Sequence, residues 1–284
     1  MKSIIKAVKN SPLAKSIYSP LNSFIDFQMK KKFLRKNIEY KDKYKGKRCF
    51  IIGNGPSLKK HDLTLLKDEF VLTVNSMTIT KEFDLITPDF HVMVDSTRFN
   101  VNNEIMHKNI LDLANKKDSP ICVFPLRFKD YIEKYNIDKK VNIIYVYANS
   151  KVRQINRINL TGRVPPYQNV LNIALYSAIY LGFSKIYLIG YDMTGFISVY
   201  DENNNISYGG HFYEDDNKRE KKYMEKLHRE RTNEFLLSAY ASVFKLLRLT
   251  KEYALKHGVE IYNAGKGGAL DVFPKIKYED LFDE

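Results

Sequence analysis

The most constraining feature of this sequence is a series of short apolar runs that each stop at a polar residue. Arg48-Cys49-Phe50-Ile51-Ile52 has no helical period and leads into Gly53-Asn54-Gly55-Pro56-Ser57-Leu58. Phe70-Val71-Leu72-Thr73-Val74 stops at Asn75, and Phe90-His91-Val92-Met93-Val94 stops at Asp95. Runs of this length bounded by turn residues read as buried strands. Further runs lie at residues 120–124, 141–146, 185–189 and 259–262, the third of them ending at Gly190-Tyr191-Asp192. Helical patterns alternate with them: Asn169 to Leu181, closed by Gly182, and a long one from about Lys218 to His257, closed by Gly258. This alternation predicts an α/β protein built on a single Rossmann-like, doubly wound, mostly parallel sheet. In such a sheet ligands bind beyond the carboxyl ends of the strands, where the polar residues fall.

With 284 residues, the chain suffices for one large domain with an appendage, and 44% hydrophobic content suits an ordered globule. The net charge of +13 is unevenly placed: residues 1–48 carry 14 Lys/Arg against three acids, +11, which leaves +2 for the other 236 residues. A domain that wraps nucleic acid is basic in its body, so no nucleic-acid partner is expected. The expected division is a basic helical N-terminal arm, 1–48, and a catalytic domain, 49–284, with a polar lid over 194–218, too long for an ordinary connection. Phe24 to Lys36 is amphipathic and lysine-rich. Such a helix either lies on an anionic membrane surface or packs on the domain with its lysines in water. Lysines break the first apolar run before a signal-peptide core forms, and no stretch is long enough to span a bilayer. Two cysteines, Cys49 and Cys122, form neither a disulfide framework nor a metal motif. The expectation is a cytoplasmic protein, peripheral on the inner face of the membrane, with homo-oligomerisation left open.

The glycine turn lacks both the third glycine of a dinucleotide fingerprint and the lysine of a P-loop. Gly53 and Gly55 nonetheless permit close backbone approach, and a helix N-terminus beyond them would favour a phosphate. Ser57 or Asn54 is the expected cap of that helix. Asn75, Asp95 and Asp192, at strand ends, either bind a ligand or cap the next helix. Of six histidines, His61, His228 and His257 read as surface groups, His107 lies in a polar helix and His91 in a strand core. His211, in Tyr208-Gly209-Gly210-His211-Phe212-Tyr213-Glu214-Asp215-Asp216, is a candidate general base on the lid. Tyr191, Tyr200, Tyr208 and Tyr213 are candidate donors to a departing phosphate. Glu214, Asp215 and Asp216 read as solvated carboxylates before they read as a Mg²⁺ site.

These residues resemble the bacterial sialyltransferases of glycosyltransferase family 42, and beside them the 6-hydroxymethylpterin diphosphokinase-like proteins of polysaccharide loci. The resemblance covers about residues 47–275 and is carried by Ile51-Ile52-Gly53-Asn54-Gly55-Pro56-Ser57-Leu58, the strand ending at Asn75, the unit Ala178 to Asp192, and His211. It implies a GT-A-like variant of the fold, with Gly53, Asn54, Gly55, Pro56, Ser57 and Asn75 at a CMP-sugar donor. It also implies His211 as base, with Tyr200 or Tyr208 at the phosphate. Asp95, where the family pattern has asparagine, and the segment Thr161 to Asn169, including Gln168 and Asn169, depart from that pattern in the donor pocket. Asp192 completes the expected nucleotide site, and the sugar stays open.

The expected function is therefore metal-independent glycosyl transfer, without a cofactor, from a nucleotide-sugar donor to a glycan acceptor in surface polysaccharide or lipooligosaccharide synthesis. One alternative is diphosphate transfer from ATP, which needs Mg²⁺ and draws on Asp95, Asp192, Asp215 and Asp216. Another is a non-catalytic nucleotide-binding protein.

Overall fold

The computed structural model describes residues 27–28, 30–99, 101, 104–148, 155–214 and 218–283. Eight strands form one parallel sheet: β1 (Arg48–Ile52), β2 (Phe70–Val74), β3 (Phe90–Val92), β4 (Ile121–Pro125), β5 (Ile143–Ala148), β6 (Arg163–Val164), β7 (Lys185–Ile189) and β10 (Glu260–Asn263). Two further short strands, β8 (Val199–Tyr200) and β9 (Ile206–Ser207), pair antiparallel in the lid. The sheet order is β10-β7-β1-β2-β3-β4-β5-β6. From β1 the chain winds outward to β6, then returns to lay β7 on the other side of β1. The direction of winding thus reverses between β1 and β7, which is where a doubly wound sheet opens a crevice.

Alternation along each strand feeds two apolar layers. Cys49 and Ile51 of β1 join the cluster on one face, and Phe50 and Ile52 the cluster on the other. Helices α1 (Lys81–Ile86), α2 (Glu104–Asn115) and α3 (Lys129–Lys134) cover the second face through Phe83, Ile110, Leu113 and Ile132. The first face is covered by α4 (Val170–Leu181) and α6 (Asn233–Lys256). Asn169 begins α4 in a reciprocal capping box with Asn172, and Gly182 ends it at φ 94°, a left-handed position that favours glycine. Residues Leu171 to Ala178 of α4 are all buried, and each large aliphatic among them contributes about 1.5–3 kcal/mol.

The expected long C-terminal helix is two helices, α5 (Lys218–Arg229) and α6. Thr232 starts the second by accepting the Phe235 N–H at 3.1 Å, a cap that the continuous apolar period of the sequence hides. The sequence reading also missed β6, whose two residues are too few to show a pattern.

Residues 1–26 of the expected arm lie outside the described residues. The rest of the arm packs on the domain: helical backbone at 30–34 runs into a 3-10 turn, Arg35–Tyr40. Buried Asn37 donates to the Tyr145 carbonyl at 2.8 Å and the Leu160 carbonyl at 2.7 Å. Tyr44 stacks on Phe183 and meets Phe70 and Phe90 edge-on. These contacts fix this part of the basic segment to the domain and leave most of its lysines exposed. No helix among the described residues is long and apolar enough to cross a membrane.

Candidate functional site

Beyond the ends of β1, β2 and β7 lies a cleft of about 240 Å³, roofed by the lid and the start of α6. Asn54, Gly55, Asn75, Asn169, Asp192 and His211 all line it, although they are spread over more than half of the chain. Its wall is built by a close meeting of two backbone turns. The Gly53 N–H donates to the Ile189 carbonyl at 2.9 Å, and the Gly55 N–H to the Gly190 carbonyl at 2.7 Å. A Cβ on Gly53 would lie 2.4 Å from the Gly190 oxygen, so glycine is required there by the neighbouring strand.

Asp192 accepts from the Ser57 N–H at 2.8 Å and from the Ser57 hydroxyl. This differs from the expected helix start in two ways. The segment is a five-residue 3-10 turn, Pro56–Lys60, and neither Ser57 nor Asn54 caps it. Its first free N–H is occupied by the Asp192 carboxylate, the group that a phosphate would have to displace. Ser57 and Asp192 thus bind each other, and Gly53 and exposed Pro56 shape the turn.

The asparagines behave differently. Buried Asn54 donates to the Val74 carbonyl at 3.2 Å, but its Oδ1 has no hydrogen-bond partner among the described residues. Asn75 holds a left-handed backbone at φ 50°, and its buried Oδ1 is likewise unpartnered. The buried Tyr191 hydroxyl on the same wall is also unpartnered, and burial holds its phenol protonated, well above the ordinary range. A buried polar atom without a partner costs about 1–3 kcal/mol, and three around one cleft point to a polar ligand.

Across the cleft, His211 lies on a stretch fastened to the body. The Phe212 N–H donates to the Asn54 carbonyl at 2.9 Å, and Phe212 and Tyr213 are buried. His211 Nδ1 is 2.8 Å from Glu214 Oε1, which also accepts the His211 N–H, while Glu214 Oε2 accepts the Tyr208 hydroxyl at 2.8 Å. Burial opposes ionisation of Glu214, yet the hydrogen bonds from the His211 ring, the Tyr208 phenol and the His211 backbone hold its carboxyl below the usual range. Glu214 is thus a buried anchor, where the sequence suggested a solvated carboxylate; Asp215 and Asp216 lie outside the described residues. An ionised carboxylate only accepts, so it fixes Nδ1 as the protonated nitrogen and leaves Nε2 able to take a proton.

Four further residues of the cleft escaped sequence reading: Thr194, His228, Arg231 and Tyr240. His228 is buried, with Nδ1 2.9 Å from the Ser198 hydroxyl and its ring stacked on Tyr208. Burial, then the nearby Arg231 charge, hold it below the ordinary histidine value. His61, also read as a surface group, is buried between the Ser57 and Ala264 carbonyls at 3.0 and 3.1 Å. Other expected site residues fall elsewhere. Tyr200 is exposed on β8 beside Arg229, Tyr208 supports Glu214, and neither Asp95 nor Gln168 lines the cleft; both are exposed.

A model of the family described as 6-hydroxymethylpterin diphosphokinase MptE-like matches residues 27–195, which include the glycine turn and the strand-end asparagines. The chain belongs to this family. Among solved structures, this MptE-like protein is matched by the sialyltransferase CstII from Campylobacter jejuni, in complex with a substrate analogue, cytidine-5'-monophosphate. The TM-score is 0.43 and the identity 16%, over 82% of this chain and 85% of that one. No curated protein matches the MptE-like chain in sequence. The described carboxylates of this family member do not converge on a shared cation: Asp192 faces Ser57 and Glu214 faces His211, and no group of three or more His, Cys, Asp or Glu gathers among the described residues. The lid after Gly195 lies beyond the matched segment, so the histidine side of the cleft is supplied by a part of the chain that the family match does not reach.

Proposed function

We propose that the protein is a glycosyltransferase that moves a sugar from a nucleotide-sugar donor, of the CMP-linked kind, to a hydroxyl of a glycan acceptor in surface polysaccharide or lipooligosaccharide assembly. The observation that carries this reading is the pairing across one cleft of a carboxylate-anchored histidine, His211, with the unpartnered Asn54 and Asn75 oxygens. The amide oxygens would accept from amino or hydroxyl groups of the nucleoside. The acceptor hydroxyl would give its proton to His211 Nε2 as its oxygen bonds to the anomeric carbon. The bond from that carbon to the phosphate oxygen breaks, and the electron pair leaves with the phosphate. Arg231, which lines the cleft, would stabilise that charge, because the Ser57 N–H is already engaged. In this reading the protein is peripheral on the inner face of the membrane and its chemistry needs no metal.

The family description favours a second reading, transfer of diphosphate from ATP to a hydroxymethyl substrate. That reaction would use the same base on a different hydroxyl and would require Mg²⁺. One assay separates the two: full-length protein is offered CMP-, UDP- and GDP-sugars with glycan acceptors, and separately ATP with hydroxymethylpterin, each with Mg²⁺ or with chelator. Sugar transfer that persists in chelator supports the proposal. Diphosphate transfer alone, abolished by chelator, overturns it, as does nucleotide binding without turnover of any donor.

A further inference from the structure

A second concavity lies at the opposite end of the sheet. Lys45 and Gly46 precede β1, Ser184 precedes β7 and Val259 precedes β10, and all four line a cavity of about 650 Å³. The cleft residues follow β1 and β7, so the length of a five-residue strand, about 17 Å, separates the two features.

The floor of this cavity is apolar, from Ile158, Ile179, Phe183 and Tyr253, while its rim is cationic. The charged or titratable groups lining it, apart from the Tyr180 and Tyr253 phenols, are Lys41, Asp42, Lys45, Arg157 and His257. Asp42 pairs with Lys41 at 3.4 Å, and His257 Nδ1 bonds to the Tyr253 carbonyl at 2.7 Å. The side chains of Lys45 and Arg157 have no hydrogen-bond or ion-pair partner among the described residues. Two helix C-termini approach the same place, and their carbonyl ends would repel an anion. Those carbonyls are already bonded, however: Tyr180 and Leu181 by the Asp42 and Tyr44 N–H groups, Ala254 by His257 and Val259, and Leu255 by Gly258.

Ile38, exposed by 61%, also lines the cavity, and Lys43, Lys47 and Lys256 are exposed neighbours in sequence of its lining residues. An exposed apolar side chain set beside the unpaired Lys45 and Arg157 matches the boundary between headgroups and acyl chains of an anionic bilayer. We propose that this end of the sheet faces the membrane, and that the cavity between Lys45 and Arg157 seats the phosphate of an anionic phospholipid, with Ile38 dipping into the interface. The site gives the peripheral association proposed above a location and does not depend on the chemistry of the cleft. It also sets an orientation: the cleft opens away from the bilayer, toward aqueous substrates.

Full-length protein would be sedimented with phosphatidylcholine vesicles, with and without phosphatidylglycerol, at fixed ionic strength. Lys45→Glu/Arg157→Glu should weaken binding to the anionic vesicles at least about tenfold, since each cation near such a surface contributes strongly. Lys221→Glu/Lys222→Glu on α5, an equal change in net charge, should bind like the parent. Lys45→Gln/Arg157→Gln, which removes charge without reversing it, should weaken binding to a smaller degree and covers the case in which the reversed pair does not fold. Four results overturn the proposal: unchanged binding by both cavity variants, equal loss in the α5 control, loss on deleting residues 1–26 while the cavity is intact, or saturation of the site by glycerol phosphate at the expense of vesicles. The last two would assign the surface to the N-terminal segment or to a soluble phosphate.

Discussion

Glu214 Oε1 lies 2.8 Å from His211 Nδ1 and accepts the backbone N–H of the same histidine at 2.6 Å. One carboxylate oxygen thus fixes both the ring and the chain that carries it. The pair stands three positions apart in sequence, so a local turn builds the arrangement, and the Tyr208 hydroxyl on Oε2 completes it.

Replacing His211 with Ala should lower turnover about 10²- to 10⁴-fold while nucleotide affinity stays within a few-fold. Isothermal titration beside steady-state kinetics checks both quantities. Equal loss of binding and turnover would show that the ring holds the substrate and takes no proton.

Glu214→Gln keeps an acceptor near Nδ1 but removes the charge that fixes the tautomer. The expected result is a fall in kcat with KM nearly unchanged, smaller than the loss in His211→Ala. Glu214→Asp, which restores the charge on a shorter arm, should recover part of the rate. A purely structural role would instead lower thermal stability in both variants in parallel with activity.

The lid contacts should weaken in acid. Folding holds both Glu214 and His228 below their ordinary values. Each therefore binds more protons unfolded than folded, and its contribution is complete above its unfolded value and lost as pH falls through its folded one. For His228 the loss begins at about pH 6.5, and for Glu214 at about pH 4.3. Melting temperature should fall as pH is lowered from about 7.5 to about 5, and His228→Gln should flatten that slope. An identical slope in the variant would assign the effect to other groups.

Gly53→Ala should destabilise the fold by at least about 1–3 kcal/mol, because its Cβ would sit 2.4 Å from the Gly190 carbonyl oxygen. Urea denaturation measures the change. An alanine tolerated without cost would mean that the turns after β1 and β7 do not meet so closely.

Asn37→Ala should cost about 1–3 kcal/mol in the same assay, since it strips the amide donor from the Tyr145 and Leu160 carbonyls. Loss of less than a few tenths would show that the segment before β1 is dispensable cover.

Much of the fold is legible in the chain itself. Apolar runs of four to six residues, punctuated by glycine and asparagine, mark the long strands, and alternation with helical periods specifies a wound parallel sheet. Gly53, Asn54, Asn75 and His211 stand out because a glycine turn, strand-end amides and a histidine between glycines and aromatics are local patterns. What tertiary structure alone decided are the partners. Ser57 and Asp192 are 135 residues apart and meet only because β7 pairs with β1, and no period in either segment encodes that neighbour. The same pairing, and not a ligand, is what requires glycine at 53. Glu214 reads like Asp215 and Asp216 until burial of Phe212 and Tyr213 draws it under His211, and His228 reads as one more polar residue of a charged helix until the lid covers it. Sequence determines each element through local sterics and hydrophobic period; which side chains share a site depends on strand order, a non-local choice made by packing the whole sheet.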